Sequence, residues 1–186
     1  MIRLGDVILR PLEPRDVDSL YAFRNDWEVI QYLGGFSAGY SRNNLQEWVT
    51  AHRNRADEVL WTIADAHSDN SIGHVGLYKI DNRVRKAEFA IVIGDKDSWG
   101  KGLGRKVTQA VVDWGFEQLN LHKISLSVLA FNKRAILLYR SLGFRKEGIL
   151  RDEQFRSDRY HDLVLMCILS ARVAGVSPAC SFFLSL

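Results

Sequence analysis

Apolar positions recur along this chain with two periods, and the change of period marks the elements. From Ile2 to Leu12 apolar residues alternate as in a strand that ends at Pro11. Pro14 then suits a helix start, and Val17, Leu20, Tyr21 and Phe23 continue at near-helical spacing. A second helix is predicted around Glu28 to Leu33, broken by Gly34-Gly35 and Gly39. Ser41 can cap a third, with Leu45, Trp48, Val49 and His52 on one face.

The period then shortens. Val59–Ala64, Ile72–Ile80 and Ala87–Ile93 read as strands, separated by polar turns over 65–71 and 81–85, so antiparallel hairpins are expected. Gly102–Leu119 reads as a helix with Val107, Ala110, Val111, Trp114 and Leu119 inward. Ile124–Leu129 is a strand, Lys133–Leu142 a helix stopped by Gly143, and Phe144–Phe155 with Arg159–Leu169 a closing hairpin. The order βαα(α)βββαβαββ predicts an α/β (α+β) domain with a mixed sheet. The unit from Ala87 to Leu129 would be its parallel crossover. Residues 1–170 make one domain in this reading. Ala171–Leu186 is an apolar tail with one charge, Arg172, and fits no element.

Composition changes this picture little. At 186 residues and 47% apolar the chain can bury a full core. Its 25 Lys and Arg against 22 Asp and Glu leave a formal charge of +3, too small to argue for nucleic acid or an anionic membrane. Cys167 lies in an apolar run and Cys180 in the tail, which makes neither a disulfide framework nor metal-ligand spacing. His52, His67 and His74 likewise show no ligand spacing, and no metal is expected. Neither a leader-like start nor a membrane-length apolar run is visible, so a cytoplasmic location is expected.

Two segments carry chemistry. Ser98-Trp99-Gly100-Lys101-Gly102-Leu103-Gly104-Arg105 follows a strand and opens a helix. Its glycines permit a tight turn, and free helix N–H groups can cradle a pyrophosphate; a plain glycine-rich turn is equally compatible with the spacing. It is neither a Walker loop nor a dinucleotide fingerprint. In the second, Asn132 is a natural helix cap, and Ala135 and Tyr139 share its face. Amide, gap and phenol can line a ligand channel, although spacing alone fits Tyr139 as core.

Together the segments resemble the GNAT superfamily of acetyl-coenzyme A-dependent N-acetyltransferases. That family's Gln/Arg-x-x-Gly-x-Gly/Ala motif matches Trp99-Gly100-Lys101-Gly102-Leu103-Gly104, with Trp99 in place of Gln or Arg. Its Asn-x-x-Ala-x-x-x-Tyr-x-x-x-Gly-Phe motif matches at every fixed position from Asn132 to Phe144. The likeness spans about Arg10 to Leu169. It is strongest toward the ribosomal-protein (RimJ/RimL-like) and spermidine N-acetyltransferases, through Leu9-Arg10-Pro11-Leu12, Arg24-Asn25 and Tyr160–Leu169.

The resemblance implies a twisted, mostly antiparallel sheet flanked by helices, and direct acetyl transfer from acetyl-coenzyme A to a primary amine. By position, Tyr139 would protonate the leaving sulfur and Glu88 would take the amine proton. Backbone groups of Ile91, Val92 and Ile93 would hold the acetyl and pantetheine arm. Lys101, Gly102, Leu103, Gly104 and Arg105 would hold the pyrophosphate, with Asn132 and Ala135 beside the pantetheine. The acceptor is expected against Asp26, Trp27, Tyr32, Phe36, Tyr40 and Trp48, with Glu153, Phe155 and Tyr160 opposite. From Gly34 to Glu58 the acids Glu47, Asp57 and Glu58 are balanced by Arg42, Arg53 and Arg55, which argues against a polyamine. A small-molecule amine such as an amino sugar or amino acid is favoured, N-terminal acetylation of a protein such as a ribosomal protein, or polyamine acetylation, is the alternative, and an acetyl-coenzyme A sensor is the non-enzyme alternative. Monomer or homodimer are both compatible.

Overall fold

The structure, a computed structural model, describes residues 1–34, 38–53 and 55–171. Eight strands form one sheet: β1 Ile2–Leu4, β2 Val7–Pro11, β3 Val59–Asp65, β4 Ser71–Asp81, β5 Lys86–Ile93, β6 Lys123–Leu129, β7 Arg145–Arg156 and β8 Arg159–Leu169. Their order is β1-β2-β3-β4-β5-β6-β8-β7, and among the described residues only β5–β6 is parallel. The helices are α1 Val17–Arg24, α2 Trp27–Ile30, α3 Arg42–Arg53, α4 Leu103–Gln118 and α5 Lys133–Ser141. The mixed, mostly antiparallel α/β architecture and the parallel crossover agree with the sequence pattern.

Two elements differ from it. The strand expected over 2–12 is a hairpin, because Gly5 takes φ +66° and turns the chain so that Leu4 pairs with Val7. Helix α2 ends at Ile30 rather than Leu33. The tail expected at 171–186 lies, from 172 onward, outside the described residues, as does Cys180.

Alternation along the strands divides the side chains between two layers. Leu77 of β4, Ala87 and Phe89 of β5 and Ile124 of β6 pack with Val107 and Val111 of α4. On the other side, Leu12, Val17, Leu20, Leu45 and Val49 join α1 to α3 in a smaller core. Arg10 fastens that layer to the sheet. It is buried, and its guanidinium donates to both Asp16 carboxylate oxygens (2.8 and 2.9 Å) and to Asp69 (2.6 Å). Asp16 also accepts from the Thr62 hydroxyl (2.8 Å) and the Glu13 N–H (2.9 Å). Burial alone would raise the Asp16 carboxyl, but these donors outweigh it and hold it below the usual carboxylate range.

Candidate active site

The parallel pairing of β5 with β6 covers only Lys86↔Lys123 through Glu88↔Ser125. Beyond it, β5 stays with β4 as far as Ile93↔Gly73, and β6 stays with β8 as far as Leu129↔Leu163. Each strand therefore turns an edge of backbone N–H and C=O groups toward the gap. A cleft of about 1310 Å³ opens there, walled by Ala90–Ile93, Ser127–Leu129, the glycine loop and α5.

Local chemistry shapes one half of this cleft. Asp95 caps the short turn Lys96–Ser98, accepting from the Asp97 N–H (3.2 Å) and the Ser98 hydroxyl (2.5 Å). The Trp99 indole then donates to the Ile93 carbonyl at 2.9 Å, tying the loop to the end of β5. Gly100 and Gly102 both take φ +79°, a conformation that disfavours any side chain, and a Cβ at either would stand in open space. Backbone thus fronts the cleft. The first N–H groups of α4, on Leu103, Gly104 and Arg105, have no acceptor within the helix and carry its positive dipole end. Arg105 is held by the Ser141 hydroxyl and lines the cleft, whereas Lys101 stays exposed and outside the lining.

Opposite the loop, Asn132 caps α5, its Oδ1 accepting from the Ala135 N–H at 3.1 Å. The cap uses the amide oxygen and leaves the amide N–H groups for a ligand. Ala135 is the small gap on that face, Tyr139 follows one turn on, and all three line the cleft with Lys133 and Arg134. The Tyr139 ring lies 6.3 Å from Phe89 and 5.6 Å from Phe144. Burial pushes its phenol up to about 12, so it keeps its proton at neutral pH. This half fits a coenzyme A-type ligand: an anion-binding helix end, an amide, a narrow gap and a protonated phenol in sequence along one groove.

The other half is assembled from scattered elements. Glu88 lines it, exposed and ion-paired with Lys79 at 3.0 Å. Arg24 of α1, Trp48 and His52 of α3 and Tyr78 of β4 line it as well. The Arg24 guanidinium lies 4.7 Å from the Trp48 ring and 5.5 Å from the Tyr40 ring. Its Nη2 donates to His74 Nε2 at 3.2 Å. Burial, then the charges of Arg24 and His52, push His74 down to about 3, so it is the neutral acceptor in this bond. Burial likewise raises the Tyr78 phenol well above its usual range.

Of the expected acceptor residues, Tyr32, Trp48 and Glu153 line the cleft. Glu153 lies within a break in the β7–β8 register between Leu150 and Gln154, where an irregular strand re-aims its side chains. Asp26 and Trp27 do not line it: Asp26 accepts from the Glu28 N–H and pairs with Lys96 (2.9 Å), and Trp27 is exposed. Phe155 and Tyr160 pack with tilted rings, centroids 5.1 Å apart, on the exposed part of the β7–β8 hairpin, outside the lining. Phe36 lies outside the described residues. Among the described residues no group of three or more His, Cys, Asp or Glu could hold a metal ion, and no helix is long and apolar enough to cross a membrane.

Comparison with known proteins agrees with this geometry. Residues 6–145 match the acetyltransferase (GNAT) domain family. A spermidine N(1)-acetyltransferase of Vibrio cholerae serotype O1 is 36% identical over 90% of this chain and 95% of its own length. The Escherichia coli K12 protein of the same name is 34% identical over 87% of this chain and 85% of its own. A crystal structure of the Vibrio cholerae spermidine N-acetyltransferase with CoA and spermine superposes with a TM-score of 0.82, at 35% identity, covering 88% of this chain and 95% of that one.

Proposed function

The chain belongs to the GNAT acetyltransferase family and is an acetyl-coenzyme A-dependent N-acetyltransferase; on that premise we propose that it acetylates a small primary amine by direct attack across the β5–β6 gap, with Tyr139 as the proton donor. The observation that carries this reading is that Tyr139, whose buried phenol keeps its proton, lines one cleft with the glycine loop, Arg24 and Trp48.

Bound acetyl-coenzyme A supplies a thioester whose acyl carbon accepts the amine and whose sulfur leaves. The residues around it have separate tasks. Gly102 to Arg105 offer backbone N–H groups to the pyrophosphate, and Asn132 offers its amide to the pantetheine. The gap-facing backbone of Ile91 and Val92 fixes the acyl group, which turns a bimolecular encounter into a local one. Glu88 lines the acceptor half and takes the amine proton, directly or through water. Tyr139 donates its proton to the departing sulfur.

A polyamine acceptor is the second reading, favoured by the names of the two relatives. The charges of the cleft speak against it. Lys79 pairs with Glu88 and Lys123 with Glu147, which leaves Arg24 and Lys86 against Glu153 on the walls away from the nucleotide groove. Calorimetric titration with acetyl-coenzyme A, followed by thiol release with alkylamines, amino acids, amino sugars, spermidine and short peptides, tests both readings. Small amines are expected to release thiol faster than spermidine or peptides. Fastest release with spermidine would establish the polyamine reading instead, and binding without release from any amine would overturn both, leaving an acceptor outside the panel or a sensor.

A further inference from the structure

Arg24 is a cation that the protein's own chemistry leaves incomplete. It is half-buried, and its Nε is fully shielded from solvent yet has no hydrogen-bond partner. Among the described residues no carboxylate pairs with it. Glu58, the buried acid whose charge opposes that of Arg24 at Tyr78, is engaged by Arg55 (2.5 Å) and His52 (3.8 Å). Among the described residues the one hydrogen bond of Arg24 runs to neutral His74, and its guanidinium lies over the rings of Trp48 and Tyr40. The rings hold the guanidinium plane by cation–π attraction without neutralising it. A guanidinium taken from water without a carboxylate is costly, and its planar fork matches a carboxylate through two parallel bonds.

We propose that Arg24 is the anchor for a carboxylate on the acceptor, so that the substrate class is a small aminocarboxylate: an amine that attacks at one end and an anion held at the other. This rests on the acetyl-transfer reading above and narrows it. His74 positions the anchor: its Nε2 accepts one guanidinium N–H and fixes the direction of the rest. The sheet supports the geometry. His74 pairs across with Val92 and Tyr78 with Glu88, so the anchor and the candidate base share one face of β4 and β5.

The test compares matched acceptors that differ only in the carboxylate. A series of ω-aminocarboxylates, from glycine to 6-aminohexanoate, is run against the alkylamines of equal length, reading thiol release from acetyl-coenzyme A as kcat/KM. At the best-fitting length the aminocarboxylate should be preferred by about tenfold or more, the scale of a charge-assisted pair. Arg24→Gln should bring that ratio to about one, chiefly through KM for the aminocarboxylate. Arg24→Lys, which keeps the charge without the fork, should give an intermediate ratio. A wild-type ratio of one or less overturns the proposal even if Arg24→Gln does not fold. So does an Arg24→Gln enzyme that slows both acceptors equally, which would make Arg24 a purely structural residue. Failure of the underlying reading looks different: acetyl-coenzyme A binds and no amine of either series releases thiol.

Discussion

Two arginines in this protein meet burial in opposite ways. Arg10 lies under the β2–α1 connection, 3% exposed, with Asp16 and Asp69 both within hydrogen-bond distance. Arg24, at the end of α1, has two aromatic rings, a neutral imidazole and, among the described residues, no carboxylate. The first charge is completed by the fold and fixes one layer on the other. The second opens on the cleft and is completed only from outside. Where the partner of a buried charge comes from thus distinguishes a structural clamp from a recognition site.

Breaking the clamp should have the largest effect on stability. Asp16→Ala leaves Arg10 with Asp69 as its remaining carboxylate and strands the Thr62 hydroxyl, so urea unfolding should show a loss of about 3–5 kcal/mol. If Asp16→Ala costs no more than a surface substitution, the clamp has been misread.

Acid should expose the same pair. The folded Asp16 carboxyl lies below its ordinary value of 3.8, so its contribution is complete above that pH and is lost as pH falls through the lower folded value. Urea midpoints measured downward from about pH 5 should fall more steeply for the wild type than for Asp16→Asn.

Arg24→Gln sharpens the contrast from the other side. Removing a guanidinium with no carboxylate partner should cost about 1 kcal/mol or less, the worth of its ring contacts. A loss matching that of Asp16→Ala would erase the distinction between the two arginines. Smaller still, Trp99→Phe removes the indole bond to the Ile93 carbonyl and should weaken acetyl-coenzyme A binding by a few-fold in a calorimetric titration.

The two halves of the cleft were unequally legible in the chain. Asn132, Ala135 and Tyr139 lie on one helix, and Gly100 to Arg105 on one turn, so each segment is contiguous in sequence and its match to a family motif, rather than spacing alone, put them on a common wall. Trp99 stood out as a departure from the motif, and only the structure shows its indole reaching back to Ile93. Arg24, His52, His74 and Tyr78 come from α1, α3 and β4 and meet only because the sheet order brings those elements together. No spacing rule joins them; the nearest signal was Trp48 and His52 on one helical face. Charge counting along Gly34 to Glu58 summed groups that bind locally, such as Arg42 with Asp18 and Arg55 with Asp57, and so it missed the cleft. Asp26 and Trp27 were expected at the acceptor, but Asp26 is spent capping α2 and pairing with Lys96. The turn at Gly5 that divides β1 from β2 was missed, because the apolar pattern from Ile2 to Leu12 reads through it as one strand.

The central claim, transfer across the β5–β6 gap with Tyr139 as acid, is tested most directly by single-turnover thiol release in Tyr139→Phe beside calorimetric affinity for acetyl-coenzyme A. Release should slow by about 10²-fold or more while affinity stays within a few-fold of wild type. Release at the wild-type rate would contradict the account and return Tyr139 to the hydrophobic packing of Phe89 and Phe144.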